Sequence, residues 1–199
     1  TIKTPSLAAP PTVSRPQPGS PYWRMGADKA PADIRTYSLF YSVHHNNGWY
    51  PEIDPTLTIF DEIRAVDYGD VEVNPADTEL TIARGIEKVA DIVQAGAFPI
   101  VLGGDHTIPV SALSGIREHS DARIGIISFD AHMDLSVTPE YWASSEWSKS
   151  FELDGIPPEN LVQIGIRSNR STHFERLVAD ELGVHVITID EVKHRGMQS

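Results

Sequence analysis

The sequence predicts an α/β fold built around a mainly parallel sheet, and two observations lead to this prediction. Short apolar runs alternate with longer amphipathic stretches along most of the chain. Because parallel strands need crossover connections, which are usually helices, this alternation favours a parallel sheet. The second observation is size, since 199 residues with 40% hydrophobic content are enough for one domain with a buried core.

The N-terminal segment differs from the rest of the chain in composition. It lacks periodic apolar positions, which predicts an extended arm that can wrap a neighbouring subunit. It is also rich in proline, at Pro5, Pro10, Pro11, Pro16, Pro18, Pro21 and Pro31. We therefore divide the chain into an arm, residues 1–36, and one α/β domain, residues 37–199.

The elements in the first half of the domain follow from the apolar spacing. Residues 63–67 predict a weak strand, and the turn at residues 74–77 supplies cap residues for a helix that Gly96 ends. The apolar positions of this helix recur at helical spacing and are Leu80, Ile82, Ile86, Val89, Ala90 and Val93. A strand over residues 98–102 and a helix over residues 109–118 follow.

The second half of the chain continues the alternation of strands and helices. Apolar strands are predicted over residues 124–129, 161–166 and 184–189, with a helix over residues 172–181 between the last two. In open parallel sheets, functional groups gather just past the carboxyl ends of the strands. We therefore look for a site where these strands end.

Charge and composition exclude several classes of function. Lys and Arg number 16 against 28 Asp and Glu, a net charge of −12, so we expect no nucleic-acid partner and no binding to an acidic membrane. The absence of cysteine excludes disulfides, thiolate metal sites and cysteine catalysis. No apolar run approaches the length of a membrane span, and the N-terminus lacks the pattern of a signal peptide. We expect a cytoplasmic protein.

Residues with metal-ligand chemistry follow two of the predicted strands. Gly103-Gly104-Asp105-His106 comes after residues 98–102, and Asp130-Ala131-His132-Met133-Asp134 comes after residues 124–129. The first motif alone is typical of a capped turn, but three ligand-type residues within a short stretch after an apolar strand predict a metal site. We expect the two strand ends to lie side by side and to bring together His106, Asp130, His132 and Asp134.

The ligand types indicate which ions the site would take. If the chain stays extended after the strand, a period of two places Asp130, His132 and Asp134 on one face. Imidazole nitrogens and carboxylate oxygens suit Mn, Fe, Ni, Co and Zn. Because a carboxylate has two oxygens, Asp130 is predicted to bridge two ions, with His132 on one ion and Asp134 and His106 on the other. Asp105 is predicted to orient a ligand from outside the site.

These motifs resemble those of the ureohydrolases, the arginase and agmatinase family. The likeness extends over roughly residues 20–195 and is closest to the agmatinase-like branch. The matching segments are residues 25–35, 66–70, 103–106, 128–134 and 162–167.

The resemblance implies a three-layer α/β/α fold, oligomers built from trimers (a trimer or a hexamer), and a centre of two divalent ions. Manganese is the expected metal and nickel the alternative. The implied ligands are His106, Asp130, His132 and Asp134, with Asp130 bridging and thereby catalytic. The implied reaction hydrolyses a guanidino or amidino compound at a linear C–N bond. A metal-bridging hydroxide attacks the guanidinium carbon, and urea or a related product is released.

The sequence departs from the family pattern in two places. The third family motif and a later substrate-binding glutamate are absent, so we expect the C-terminal part of the fold, with further ligands, to follow Ser199. The loop over residues 135–160 lacks the family's histidine. Trp142 and Trp147 stand there instead and are predicted to contact a cationic substrate, with Glu146 in proton transfer. Packing of a lid or of a subunit contact is an equal alternative for these residues.

Two functional hypotheses follow from these departures. The first is a metal-dependent hydrolase of a small guanidino-type substrate with a cationic guanidinium group, such as free guanidine, a guanidino acid or a biguanide, rather than arginine. The alternative is a weakly active or inactive subunit that assembles with an active paralogue. The four intact ligand residues favour the hydrolase, because assembly alone does not need them together.

Overall fold

The computed structural model describes residues 26–38, 47–49, 52 and 54–196. The predicted arm lies outside these residues as far as residue 25. Its described part is helical rather than extended, with a 3-10 turn at Ala27–Lys29 followed by helix α1, Ala30–Ser38. Pro31 fits the first turn of this helix, where its backbone nitrogen needs no intrahelical partner.

A parallel sheet of three strands, with helices packed against it, confirms the predicted α/β class. The strands are β1, Ile126–Phe129, β2, Leu161–Ile166, and β3, His185–Thr188, in the spatial order β1-β2-β3. Both pairs are parallel, and Ile126 lies opposite Leu161. The remaining helices are α2, Ile59–Glu62, α3, Thr78–Gln94, α4, Ile108–Arg117, α5, Glu146–Ser150, α6, His173–Leu182, and α7, Ile189–Arg195.

Helices α3 and α4 confirm the predictions made from the spacing of their apolar residues. The Asp77 carboxylate caps α3 by accepting a hydrogen bond from Leu80 N, which satisfies one of the free amides of the first turn. Gly96 follows the end of α3 with φ of 73°, a left-handed conformation that favours glycine.

The hydrophobic core lies between the sheet and the segment that contains α5 and α6. Leu135, Ile156 and Leu161 are almost completely excluded from solvent. The rest of the buried cluster comprises Met133, Trp147, Phe151, Ile166, Val178, Ala179 and Val184. On the other face of β1, Ile127 and Phe129 are 68% and 77% exposed. Within the described residues, one face of β1 is therefore packed and the other is open.

Two of the predicted strands are wrong. Residues 63–67 and 98–102 have no regular structure, and Val66 and Phe98 are 83% and 88% exposed. A strand exists only where a neighbour completes its hydrogen-bond ladder, and the described residues provide no neighbour for either segment. The predicted side-by-side arrangement of residues 98–102 and 124–129 in one sheet is therefore also wrong. Among the described residues, no helix combines the length and apolar character needed to span a membrane.

The close contact between α3 and α4 requires glycine at position 115, and substitution of this residue tests the packing of the two helices. A Cβ at Gly115 would lie 2.7 Å from Val89 Cβ and 2.8 Å from Ile86 O. We expect Gly115→Ala to lower the free energy of unfolding by about 1–3 kcal/mol, although this change usually stabilises a helix by roughly 1 kcal/mol. Urea denaturation measures the effect.

Gly125→Ala is the matched control, because a Cβ there would meet its nearest neighbour at 3.9 Å. We expect this variant to unfold like the native chain. A stabilising effect of Gly115→Ala would contradict the close packing of α3 on α4.

Candidate metal centre

The loop that follows β1 continues the pairing with β2 beyond the end of the strand. Asp130 N donates to Ile164 O at 3.2 Å, and Arg167 N donates to Ala131 O at 3.0 Å. These bonds fix the backbone of the first loop residues relative to β2. Asp130 therefore projects from a defined position at the carboxyl end of the sheet, where the sequence predicts the site.

The far end of the same loop is held by side chains of β2, of α6 and of the segment just before α6. Gln163, which is fully buried in β2, donates to Met133 O through its Nε2. Leu135 N donates to Glu175 Oε1 at 3.2 Å, and Met133 N donates to Ser171 Oγ at 3.1 Å. Because both ends of the loop are bound, the residues between them have little freedom to move.

Asp134 occupies a left-handed backbone conformation with φ of 49°. Aspartate tolerates this region better than most residues other than glycine. The predicted extended chain with Asp130, His132 and Asp134 on one face is therefore wrong, since the backbone turns at Asp134 instead of alternating. The turn directs the Asp134 carboxylate toward His106.

His106 reaches the loop although residues 98–102 form no strand. Its Nδ1 lies 2.9 Å from Asp134 Oδ2 and 3.8 Å from Asp130 Oδ2. The preceding Gly104 packs so tightly that a Cβ there would lie 1.7 Å from Ala27 O. Glycine at this position thus permits the close approach of two backbone segments beside the site.

Glu146, the first residue of α5, completes the cluster. Its side chain is fully buried, and its Oε1 lies 3.1 Å from His106 Nδ1. One ligand atom from each of His106, Asp134 and Glu146 lies within 4.8 Å of the others. The sequence predicted Glu146 for proton transfer but did not predict its contact with His106. The signal available was its place in the loop that lacks the family's histidine.

The electrostatics of the cluster show an excess of negative groups. The hydrogen bond to Asp134 raises the pKa of His106 above its ordinary value against the opposing effect of burial, and nearby carboxylates add to the rise. Burial raises the pKa of Glu146 to about 10, and the charge of Asp134 contributes. A cation at this position would compensate the carboxylates, so the residues present fit a divalent metal ion.

The remaining predicted site residues differ in how they relate to this cluster. His132 Nδ1 is 3.4 Å from Asp130 Oδ1, and Asp105 accepts a hydrogen bond from Thr107 N within its own turn. Trp142 is half-buried. Trp147 is 5% exposed, belongs to the hydrophobic core, and meets the His106 ring edge-on at 6.0 Å between centroids.

Comparisons with known proteins give a consistent result. A model of the arginase family matches residues 15–199. Proclavaminate amidinohydrolase of Streptomyces clavuligerus is 29% identical over 188 residues, which cover 93% of this chain and 58% of that protein. Guanidinopropionase of Pseudomonas aeruginosa is 30% identical over 194 residues, which cover 94% of this chain and 57% of that protein.

Solved structures show the same likeness. The proclavaminate amidinohydrolase structure has a TM-score of 0.71 at 28% identity, over 87% of this chain and 56% of that chain. Formiminoglutamase of Trypanosoma cruzi, solved with Mn²⁺, has a TM-score of 0.72 at 20% identity over the same shares, a likeness of fold. The chain thus spans somewhat more than half the length of these relatives.

The contacts of Glu175 generate a prediction about the loop. Its carboxylate accepts hydrogen bonds from Leu135 N and Ser136 Oγ. It also accepts one from the backbone N of Thr172, the residue that caps the start of α6. Glu175→Gln should lower the free energy of unfolding by roughly 2 kcal/mol, because an amide group cannot accept all of these bonds. Urea denaturation of both proteins measures the loss.

Glu191→Gln provides the control, because Glu191 forms the equivalent capping box with Thr188 at the start of α7, where it is less buried than Glu175. We expect a smaller loss there. Equal losses would show that the bonds from Glu175 to the loop contribute nothing to stability.

Proposed function

The chain belongs to the arginase family, and we propose on that basis that it hydrolyses a guanidino or amidino compound at a centre of divalent metal ions. The observation that carries this proposal is the convergence of His106, Asp134 and Asp130 at the end of the sheet, with His106 Nδ1 2.9 Å from Asp134 Oδ2. The names of the similar proteins support the substrate class, since they include an amidinohydrolase and a guanidinopropionase.

The proposed ligands are His106, Asp130, His132 and Asp134. Asp130 is the proposed bridge, because one of its oxygens faces His132 at 3.4 Å and the other faces His106 at 3.8 Å. The nitrogen and oxygen donors suit manganese, which we propose as the metal, with nickel as the alternative.

The chemistry divides between the ions and the chain. A pair of divalent ions supplies Lewis acidity, which lowers the pKa of water and so provides a nucleophile near neutral pH. The carboxylates of Asp130 and Asp134 would hold the ions and offset their positive charge, so that the site does not repel a guanidinium cation. The bonds from Gln163 and Glu175 hold the loop in place, which preserves the geometry of these carboxylates.

The substrate within this class is a further proposal. The loop over residues 135–160 carries no histidine, and it places a buried carboxylate, Glu146, beside His106. Such a site favours a compact cation, such as guanidine or a biguanide, over arginine, whose carboxylate would have no partner in this loop. A guanidino acid is the alternative within the proposed substrate class. The agmatinase-like assignment, the trimeric or hexameric assembly and the cytoplasmic location stay predictions.

One experiment tests the proposed function directly. The full-length protein, purified alone, is analysed for bound metal and then assayed for release of urea or ammonia from a panel of guanidino compounds. We expect stoichiometric metal and turnover of at least one compact cation. Metal without turnover of any compound would favour the alternative of an assembly partner, and absence of metal would overturn the proposal.

The bridging role of Asp130 predicts unequal effects of two substitutions. Asp130→Asn should lower the metal content more than His106→Asn, because it disturbs both ions rather than one. Metal stoichiometry of each purified variant measures the difference. Asp180→Asn is the control, since its carboxylate pairs with Arg176 on the exposed face of α6, and it should retain the native metal content. Equal losses at Asp130 and His106 would remove the bridging assignment.

The composition of the loop over residues 135–160 predicts which guanidino compounds the protein prefers. Arginine should be a poor substrate, and Trp142→Ala should raise the KM for the preferred compound, because an aromatic face contributes to cation binding. Trp147→Ala should instead lower the free energy of unfolding by about 3–5 kcal/mol, since Trp147 is 5% exposed. Efficient arginine hydrolysis, or an unchanged KM in Trp142→Ala, would show that this loop is a packing element.

A further inference from the structure

We infer that Glu146 binds directly to the metal ion held by His106 and Asp134, an inference that rests on the proposed function. Neither the sequence motifs nor the family resemblance assigns a ligand to this loop. The inference stands on the position of the Glu146 carboxylate, its complete burial and its lack of hydrogen-bond partners.

The distances in the cluster match those between neighbouring ligands of one ion. Metal–ligand bonds of about 2.1 Å in an octahedral arrangement place adjacent ligand atoms about 3 Å apart. His106 Nδ1 lies 2.9 Å from Asp134 Oδ2 and 3.1 Å from Glu146 Oε1. The three side chains thus surround a position that a single ion can share.

The burial of Glu146 gives an independent reason for a bound cation. The residue has no solvent exposure, and neither of its side-chain oxygens has a hydrogen-bond partner among the described residues. Glu146 Oε1 lies 3.1 Å from His106 Nδ1, but the two atoms do not form a hydrogen bond. A carboxylate that is removed from water without a partner is costly, and coordination of a divalent ion removes that cost.

The local structure holds Glu146 in this position. It begins α5, and Ser150 Oγ donates to its carbonyl at 2.6 Å, which ties the backbone to the next turn. The adjacent Trp147 packs in the core and meets the His106 ring edge-on. The same short helix therefore positions Glu146 and Trp147, the two residues that contact His106 from this side. This role replaces the proton transfer predicted from the sequence, because a carboxylate bound to an ion is a poor proton carrier.

The alternative is a neutral carboxyl group that is merely buried beside Asp134. Glu146→Gln separates the two cases, because glutamine has the shape of the neutral acid but is a weak metal ligand. Titration of the metal-free protein with Mn²⁺ by calorimetry should show affinity reduced by at least about 10-fold for one ion. The melting temperature without metal should be equal or higher, while the rise on adding Mn²⁺ should be smaller than in the native chain.

Glu152→Gln is the matched control, because Glu152 pairs with Lys149 at the surface, away from the cluster, and this change should leave Mn²⁺ affinity unchanged. Glu146→Asp, which keeps the charge on a shorter side chain, should retain more affinity than Glu146→Gln. If Glu146→Gln binds Mn²⁺ like the native chain, the inference is wrong and the proposed function stands. If the native chain itself binds neither Mn²⁺ nor Ni²⁺, the proposed function fails and the inference with it.

Discussion

The hydrogen bonds that fix the loop after β1 are the constraint on which the candidate site depends. β2 holds the start of this loop through the Ile164 carbonyl and its far end through the buried Gln163 amide. α6 holds the same far end through Glu175. The Nε2 of this buried glutamine is satisfied by the loop, whereas its Oε1 has no hydrogen-bond partner among the described residues, so this side chain stabilises the loop through its Nε2 bond alone. The carboxylates of Asp130 and Asp134 inherit their positions from this arrangement.

Charge is the second constraint, because the clamped loop brings like charges together. Asp130 and Asp134 face one imidazole, and the fully buried Glu146 adds a third carboxyl group. The helix α5 and the core around Trp147 keep Glu146 from turning toward solvent. Packing thus maintains an electrostatic arrangement that is unfavourable by itself and becomes favourable around a cation. This coupling of packing to charge is typical of functional sites.

Much of the fold could be predicted from the sequence, because local patterns determine it. The apolar spacing of α3 and the apolar run of β2 are properties of the segments themselves. The helix and the strand predicted from them are both confirmed. Residues 63–67 and 98–102 have strand-like composition, but a strand depends on a partner that the pattern does not contain. The predictions there were wrong for that reason.

The site could be predicted only in part, for similar reasons. Residue type and position after a strand indicated His106, Asp130 and Asp134. The left-handed turn at Asp134 was not predictable, because it results from the bonds that clamp both ends of the loop. The contact between Glu146 and His106 joins residues that are far apart in the sequence, and no local signal specifies it.

Anomalous diffraction shows directly whether a metal ion binds at the carboxyl end of the sheet. Crystals grown with Mn²⁺ would be measured at the manganese absorption edge. If the proposed centre exists, anomalous density will lie within about 2.0–2.6 Å of side-chain atoms of His106, Asp130 and Asp134. Well-ordered crystals with no anomalous density among these side chains, or with density bound elsewhere, would contradict it.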